Sequence, residues 1–133
     1  MKKILSIMLV GVLMLAVSGC GDEPQHKVSY VSGEKLTVLE QYDCVAVYTQ
    51  YTNDSSETAV PADEVSVKAF QNGVELSPLV PTGDRTNGYV QCDSNVQSGT
   101  TADVVWLFEL DDDSTVSVEL SGGEKVEIPL TEE

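Results

Sequence analysis

The sequence predicts an all-β protein that folds as an antiparallel β-sandwich. Between Tyr30 and Leu130, short segments rich in β-branched and aromatic residues are separated by clusters of Gly, Asn, Asp, Ser and Pro. In several of these segments apolar residues recur at every second position, which is the period of a strand with one buried face. About seven such segments are typical of an immunoglobulin-like sandwich, with a small closed barrel as the alternative.

Two segments have the composition of central strands. Tyr42–Thr52 and Thr101–Leu110 are apolar at consecutive positions, so both of their faces are expected to be covered. In the second segment Val104, Trp106 and Phe108 fall on one face, and we expect Trp106 to be a core residue.

The remaining elements are shorter. Val65–Leu76 contains Asn72-Gly73, the preferred two-residue turn of a hairpin, because both residues tolerate positive φ. One helical turn is expected near Ala62–Glu64, and a short edge strand at Gly88–Cys92. Val116–Leu120 and Val126–Leu130 alternate on either side of Gly122-Gly123, and Pro129 suits an edge strand.

The N-terminal segment predicts export. Lys2 and Lys3 precede the apolar run Ile4–Val17, which is the order of a secretory signal peptide. A membrane-spanning helix needs about 20 apolar residues, and this run is shorter. We therefore expect residues 1–19 to be a signal peptide that is removed.

Val17-Ser18-Gly19-Cys20 resembles the lipobox of bacterial lipoproteins. The resemblance implies cleavage between Gly19 and Cys20, with a diacylglyceryl unit joined to the Cys20 sulfur as a thioether. Two acyl chains are enough for stable anchoring, so we expect a protein held at the outer face of the cell membrane. An ordinary signal peptide with a free or disulfide-bonded Cys20 is the alternative.

Residues 20–29 are expected to be the acylated cysteine and a flexible tether, and residues 30–133 the folded domain. Residues 21–29 are polar, contain Pro24 and show no periodicity. His26 lies in this segment and is the one histidine of the chain, and we expect it to be solvated.

The charge balance excludes one class of partner. After removal of residues 1–19, five basic residues stand against 22 acidic residues, a net charge of −17. Such a surface repels nucleic acid and anionic headgroups and favours basic partners, with salt-sensitive association.

Three segments resemble a group of small lipoproteins from monoderm bacteria: Tyr48–Glu57, Val65–Leu76 and Ser98–Leu110. The resemblance covers about Tyr30 to Leu130 and the lipobox. It implies a single telokin-like, immunoglobulin-like domain of unknown function, related to a mycobacterial immunoprotective secreted antigen. The group has no established catalytic residues to carry over.

Cys44 and Cys92 remain after acylation of Cys20. Disulfides persist outside the cytoplasm, so a bridge between these two residues is expected, with two separate buried thiols as the alternative.

Neither a metal site nor an enzyme is expected. Glu109–Ser114 offers four carboxylates, but consecutive aspartates in a turn diverge and the glycine of a calcium loop is missing. With His26 assigned to the tether, the domain holds no histidine for a Ser-His or Cys-His pair. Gly122-Gly123 is followed by Glu124, which has the wrong sign for a phosphate.

Two function classes remain. The first is a binding or adaptor module with no cofactor, which contacts a protein, a peptide or an envelope polymer through the loops Asn53–Asp63 and Ser77–Gly88. The second is a structural or protective envelope lipoprotein with no specific ligand. The sequence does not indicate an oligomeric state.

Overall fold

The computed structural model describes residues 25–38, 40–79 and 85–130. They form two four-stranded sheets packed as a β-sandwich, with strand orders β1-β2-β6-β5 and β4-β3-β7-β8. The elements are β1 His26–Val38, β2 Tyr42–Asn53, α1 Pro61–Glu64, β3 Val67–Gln71, β4 Val74–Glu75, β5 Val90–Gln91, β6 Thr100–Glu109, β7 Val116–Leu120 and β8 Lys125–Ile128. The predicted sandwich is confirmed. The barrel alternative is wrong because the strands form two separate sheets.

β2 and β6 are the central strands of the first sheet, as predicted. They pair antiparallel over ten consecutive residue pairs, from Cys44 with Glu109 to Asn53 with Thr100. Both faces are covered. The inner residues, such as Val45, Val47 and Trp106, pack against the second sheet, which contributes residues such as Val118.

A smaller cluster covers the outer face of the first sheet. Cys44, Ala46, Tyr48, Val105 and Leu107 are buried there, and Leu36, Leu79 and Tyr89 pack over them. This second cluster explains why β2 and β6 are apolar at consecutive positions rather than at every second one.

Trp106 is a core residue, as predicted. It is 6% exposed, and its indole N–H donates to the Thr49 hydroxyl oxygen at 3.0 Å. The Thr49 hydroxyl in turn donates to the Val104 carbonyl at 2.8 Å. Both polar groups are therefore satisfied inside the core, as buried donors require.

β1 contains a bulge, and the set of alternate side chains that faces the core differs before and after it. The pairing with β2 shifts between Tyr30 and Ser32, and Val31 is left 47% exposed. Before the bulge Tyr30 packs on the inner core, whereas after it Leu36 packs on the outer cluster. One extra residue moves the following side chains to the opposite face.

The predicted hairpin is confirmed. Asn72 and Gly73 have φ values of 54° and 82°, and β3 pairs antiparallel with β4 across them. The helical turn near Ala62–Glu64 is confirmed as α1, which begins at Pro61, where the fixed φ of proline suits a first helical residue.

The short strand within Gly88–Cys92 is β5, at the edge of the first sheet, and it runs parallel to β6. Sequence alternation indicates that a strand exists but not its direction, so this parallel pair was not predicted. β8 is an edge strand, as predicted, and Pro129 follows its last residue.

The expected disulfide is contradicted. Cys44 and Cys92 are both free and buried. Cys44 packs in the outer cluster, whereas Cys92 packs in the core between the sheets. Strand alternation directs the Cys44 side chain away from the core that holds Cys92, so the alternative of two separate thiols describes the structure.

We expect the two thiols to react only after unfolding. Burial raises the pKa of Cys44 and of Cys92 to about 11, with Asp43 and Asp93 adding to the respective shifts. Since the thiolate is the reactive form, iodoacetamide at pH 8 should leave both unmodified in the folded protein and modify both in denaturant without a reductant. Peptide mass spectrometry separates these sites from Cys20. Protection of both in denaturant until reductant is added would show a disulfide.

We expect Gly33→Ala to destabilise the sandwich by about 1–3 kcal/mol, because overpacking a core costs this much. A Cβ at Gly33 would collide with Cδ1 of the buried Ile128 on β8. Ile128→Val removes that atom, so the double variant should lose less stability than the two single variants summed. Urea unfolding of all four proteins measures the coupling, and strict additivity would contradict the contact.

Candidate functional site

His26 is the first residue of β1 and is part of the folded sandwich. Its side chain is 19% exposed. The expectations that residues 26–29 belong to the tether and that His26 is solvated are therefore wrong. The backbone N–H of Asp54 also donates to the Gln25 carbonyl at 2.8 Å, which extends the contact of β1 with the end of β2 by one residue.

Two side chains hold the His26 ring, one at each nitrogen. Nδ1 lies 2.7 Å from the Tyr51 hydroxyl oxygen, and Nε2 lies 3.4 Å from Glu64 Oε1 on α1. Because a carboxylate only accepts, the contact with Glu64 favours a hydrogen on Nε2, and in that tautomer of the neutral ring Nδ1 accepts the Tyr51 hydroxyl hydrogen. The contact of His26 with Tyr51 and Glu64 is called the His26 clasp below.

Tyr51 is the buried member of the clasp. Its side chain is fully buried, and its ring lies nearly parallel to the His26 ring, with centroids 6.0 Å apart. Burial, together with the charge of Glu64, raises the pKa of Tyr51. The hydroxyl therefore stays protonated and available to donate at neutral pH.

A groove of about 580 Å³ lies beside the clasp, and we call it the His26 groove. Its walls include Ser29, Gln50, Val65 and Ser121, which offer hydroxyl and amide groups around an apolar residue. A second recess, of about 240 Å³, lies between the clasp and residues 55–59. The volume of the His26 groove, but not that of the second recess, is in the range common for ligand sites, which also have a few polar groups that orient the ligand.

The Asn53 side chain forms hydrogen bonds with the loop next to the groove. Its buried amide donates to the carbonyls of Glu57 at 2.8 Å and Val96 at 2.9 Å. Its side-chain oxygen accepts from the Ser55 backbone N–H at 3.0 Å. The predicted contact loop Asn53–Asp63 therefore lies beside the clasp, with the Asn53 side chain bonded to Ser55 and Glu57 and the Ala59 backbone paired with that of Val96.

The second predicted contact loop, Ser77–Gly88, lies partly outside the described residues. Its described part packs over the outer face of the first sheet, where Asn87 donates to the Tyr48 hydroxyl at 2.6 Å and to Glu34 at 2.9 Å. Burial and the hydrogen bond to Glu34 raise the pKa of Tyr48 to about 12. The described part of this loop, residues 77–79 and 85–88, does not meet the His26 clasp.

Glu109–Ser114 forms a turn whose groups are used within the protein. The buried Gln71 amide donates to the Asp112 and Ser114 carbonyls and accepts from the Asp111 N–H. The Asp112 carboxylate accepts from the Ser114 hydroxyl at 2.5 Å and from the Ser114 N–H at 2.9 Å, and these bonds lower the pKa of Asp112. Among the described residues, no three His, Cys, Asp or Glu side chains are grouped as metal ligands would be.

The clasp was not predicted from the sequence, because His26 was assigned to the tether. Pro24 and the polar residues around it indicate a linker, but His26, Val28 and Tyr30 occupy alternate positions that face inward in β1. This alternation was a usable signal. The contact with Glu64 could not be read from the sequence, since it depends on how α1 packs.

The anchoring residues predicted at Gly19 and Cys20 lie outside the described residues, as do residues 1–18 and 21–24. Within the described ranges, no helix has the length and apolar composition needed to cross a membrane.

Comparison with a solved structure supports the fold. The chain is similar to a protein described as a "putative lipoprotein" from Staphylococcus aureus subsp. aureus NCTC 8325, with a TM-score of 0.60 and 9% identity over 79% of this chain and 83% of that chain. A search of curated proteins gives no match.

A family model matches most of the chain, over residues 21–122 of 133. Neither this match nor the structural one confirms the telokin-like relationship or the link to the mycobacterial antigen, so those two points stay predictions. The extent of the match assigns the protein to the family described as Domain of unknown function (DUF5067).

Proposed function

We propose that this protein is a lipoprotein anchored through Cys20 at the outer face of the cell membrane, where its β-sandwich is a non-enzymatic binding module. The observation that carries the proposal is the short link between the two parts. The lipobox cysteine is followed by five residues before β1 begins at His26. The family match begins at residue 21, immediately after Cys20, and the staphylococcal protein of similar fold is described as a "putative lipoprotein".

The His26 groove is the proposed ligand-binding part of the module. It combines a recess of suitable size with hydroxyl and amide groups on a rigid sheet. The Asn53 hydrogen bonds hold the neighbouring loop in place, so a ligand meets a preorganised surface. No cofactor is part of this proposal.

The clasp supports binding rather than catalysis. His26 lies within the domain, so the lack of a histidine in the domain is no longer an argument against an enzyme. Both of its ring nitrogens, however, have partners in Tyr51 and Glu64. A histidine that activates a nucleophile instead has one nitrogen directed at a serine or cysteine that substrate can reach.

The charge of the domain supports a basic partner. Glu64, Glu57 and Asp63 lie near the clasp, against the single basic side chain Lys27 among the groove residues. Association should therefore weaken as salt screens these charges, and nucleic acid is not a partner under this proposal.

We expect Cys20→Ala to abolish acylation and to release the domain from the membrane or leave it with an uncleaved leader. Mass spectrometry of the N-terminal peptide and detergent partitioning measure the two effects. Cys44→Ala is the matched control, because it removes a cysteine outside the lipobox. A wild-type protein with an unmodified Cys20 in the medium would contradict the anchored lipoprotein.

We expect Ser29→Trp to reduce recovery of a partner from envelope extract, because the indole would occupy the His26 groove. Ser32→Trp is the matched control: Ser32 is exposed on the same strand and is not part of the groove wall. Quantitative pull-down with the acylated protein in detergent compares the two. Equal recovery would remove the groove from the proposal, and no reproducible partner at all would favour the purely structural role.

A further inference from the structure

The strands run back and forth along the sandwich, so the turns between them lie at its two opposite ends. β1 begins and β2 ends beside residues 54–64, 97–99 and 121–124, which we call the His26 end. Gly99 N–H donates to the Asn53 carbonyl at 2.7 Å, and Ser121 lines the groove together with His26. These contacts show that the three segments lie at one end.

The other end, which we call the Asp112 end, consists of residues 40–42, 72–73 and 110–115. Asn72 donates to the Asp112 carboxylate at 3.1 Å, and Leu110 N–H donates to the Asp43 carbonyl at 3.0 Å. Lys35, near the end of β1, pairs with Asp113 at 2.8 Å. β2 has 12 residues, so the two ends are about 40 Å apart at the rise of a strand, roughly 3.3 Å per residue.

The chain enters the sandwich at the His26 end. From Cys20 to His26 there are six residue steps, which span at most about 20 Å at roughly 3.5 Å per residue. The first point at which β1 is tied to other elements by side chains is the His26 clasp, which joins β1 to β2 and α1. The backbone pairing of β1 with β2 begins at the same place, with His26 opposite Asn53 and the Gln25 carbonyl bonded to Asp54 N–H, so the ladder and the clasp together fix the start of β1.

We propose that the start of β1, held by its pairing with β2 and by the His26 clasp, orients the domain: it keeps the His26 end, with its groove, towards the membrane and presents the Asp112 end to the exterior. The inference rests on the proposed anchoring at Cys20. A body about 40 Å long that is tied at one end by a linker of at most about 20 Å cannot reverse its direction freely. If residues 26–29 were released, ten residue steps would separate Cys20 from Tyr30, the linker would lengthen to at most about 35 Å and this restriction would weaken.

Charge opposes a different arrangement, in which the His26 end adheres to the lipid. Asp54, Glu57, Asp63 and Glu64 lie at this end, against Lys27 and Lys125. Like charges repel within a Debye length, about 8 Å at physiological ionic strength, so anionic headgroups oppose direct contact of this end with the lipid. The lipid surface is thus a neighbour of the groove rather than its occupant, and a ligand reaches the groove from the gap between them.

The test places a fluorescent donor at either end of the full-length acylated protein in vesicles of zwitterionic and anionic phospholipid with acceptor-labelled headgroups. Ser56→Cys labels the His26 end, and Val74→Cys, at a side chain that is 61% exposed, labels the Asp112 end. The buried thiols Cys44 and Cys92 are replaced by Ala in all proteins. Energy transfer should be strong from position 56 and weak from position 74. Equal transfer from the two positions would overturn the proposed orientation.

The clasp is tested in the same vesicles. His26→Ala should raise hydrogen exchange in residues 26–29 and reduce the difference in transfer between the two labels. Ser32→Ala, which changes an exposed residue of the same strand outside the groove, is the control and should leave the difference intact. An unchanged difference in a folded His26→Ala protein would show that the clasp does not orient the domain.

Failure of the anchoring itself gives a separate result. Vesicle flotation precedes each measurement, and protein that does not float with the lipid contradicts acylation at Cys20. Protein that floats but gives equal transfer from both labels contradicts the orientation alone.

Discussion

The pairing of β2 with β6 is the interaction on which the rest of the sandwich depends. Its ten residue pairs form the longest ladder after that of β1 with β2, and side chains cover both of its faces. β1 adds to one side of this pair, whereas β5 and residues 77–79 pair with the other side, through two short contacts. The second sheet packs on the inner face, in a core that contains Trp106 and Val118. Side chains cover both faces of the middle of this pair, whereas the bulge of β1 and the His26 groove lie towards the edge of the sheet.

Buried amide side chains give the turns at each end a defined shape. Asn53 holds residues 55–57 and Val96 at the His26 end, and Gln71 holds residues 111–114 at the Asp112 end. Each amide completes backbone hydrogen bonds that the sheet cannot provide. Leaving such a buried group without a partner costs about 1–3 kcal/mol, so these loops resist rearrangement although they lack regular structure. Among the described residues, no buried side-chain nitrogen or oxygen lacks a partner.

The sequence predicted the parts of the fold that local chemistry determines. β2, β6 and the Asn72-Gly73 hairpin follow from composition, alternation and turn preference. The start of β1 was not predicted. The bulge between Tyr30 and Ser32 changes which residues face inward, and this breaks the alternation that identifies a strand. The clasp and the separation of Cys44 from Cys92 depend on which elements pack together. Such long-range packing cannot be deduced from one sequence, and the anchoring motif lies outside the described residues.

Topology, rather than any single side chain, decides which turns share an end of the molecule. An antiparallel strand returns the chain to the end from which it came, so β1 and β2 together bring residues 54–64 back beside His26. β6 starts at the same end, since Thr100 pairs with Asn53. A substitution in one turn can therefore change the chemistry of an end but not the set of turns that meet there. The His26 groove, formed by β1, β2, α1 and the turn after β7, is for this reason a consequence of strand order, and its wall residues can vary while its position relative to the start of the domain stays the same.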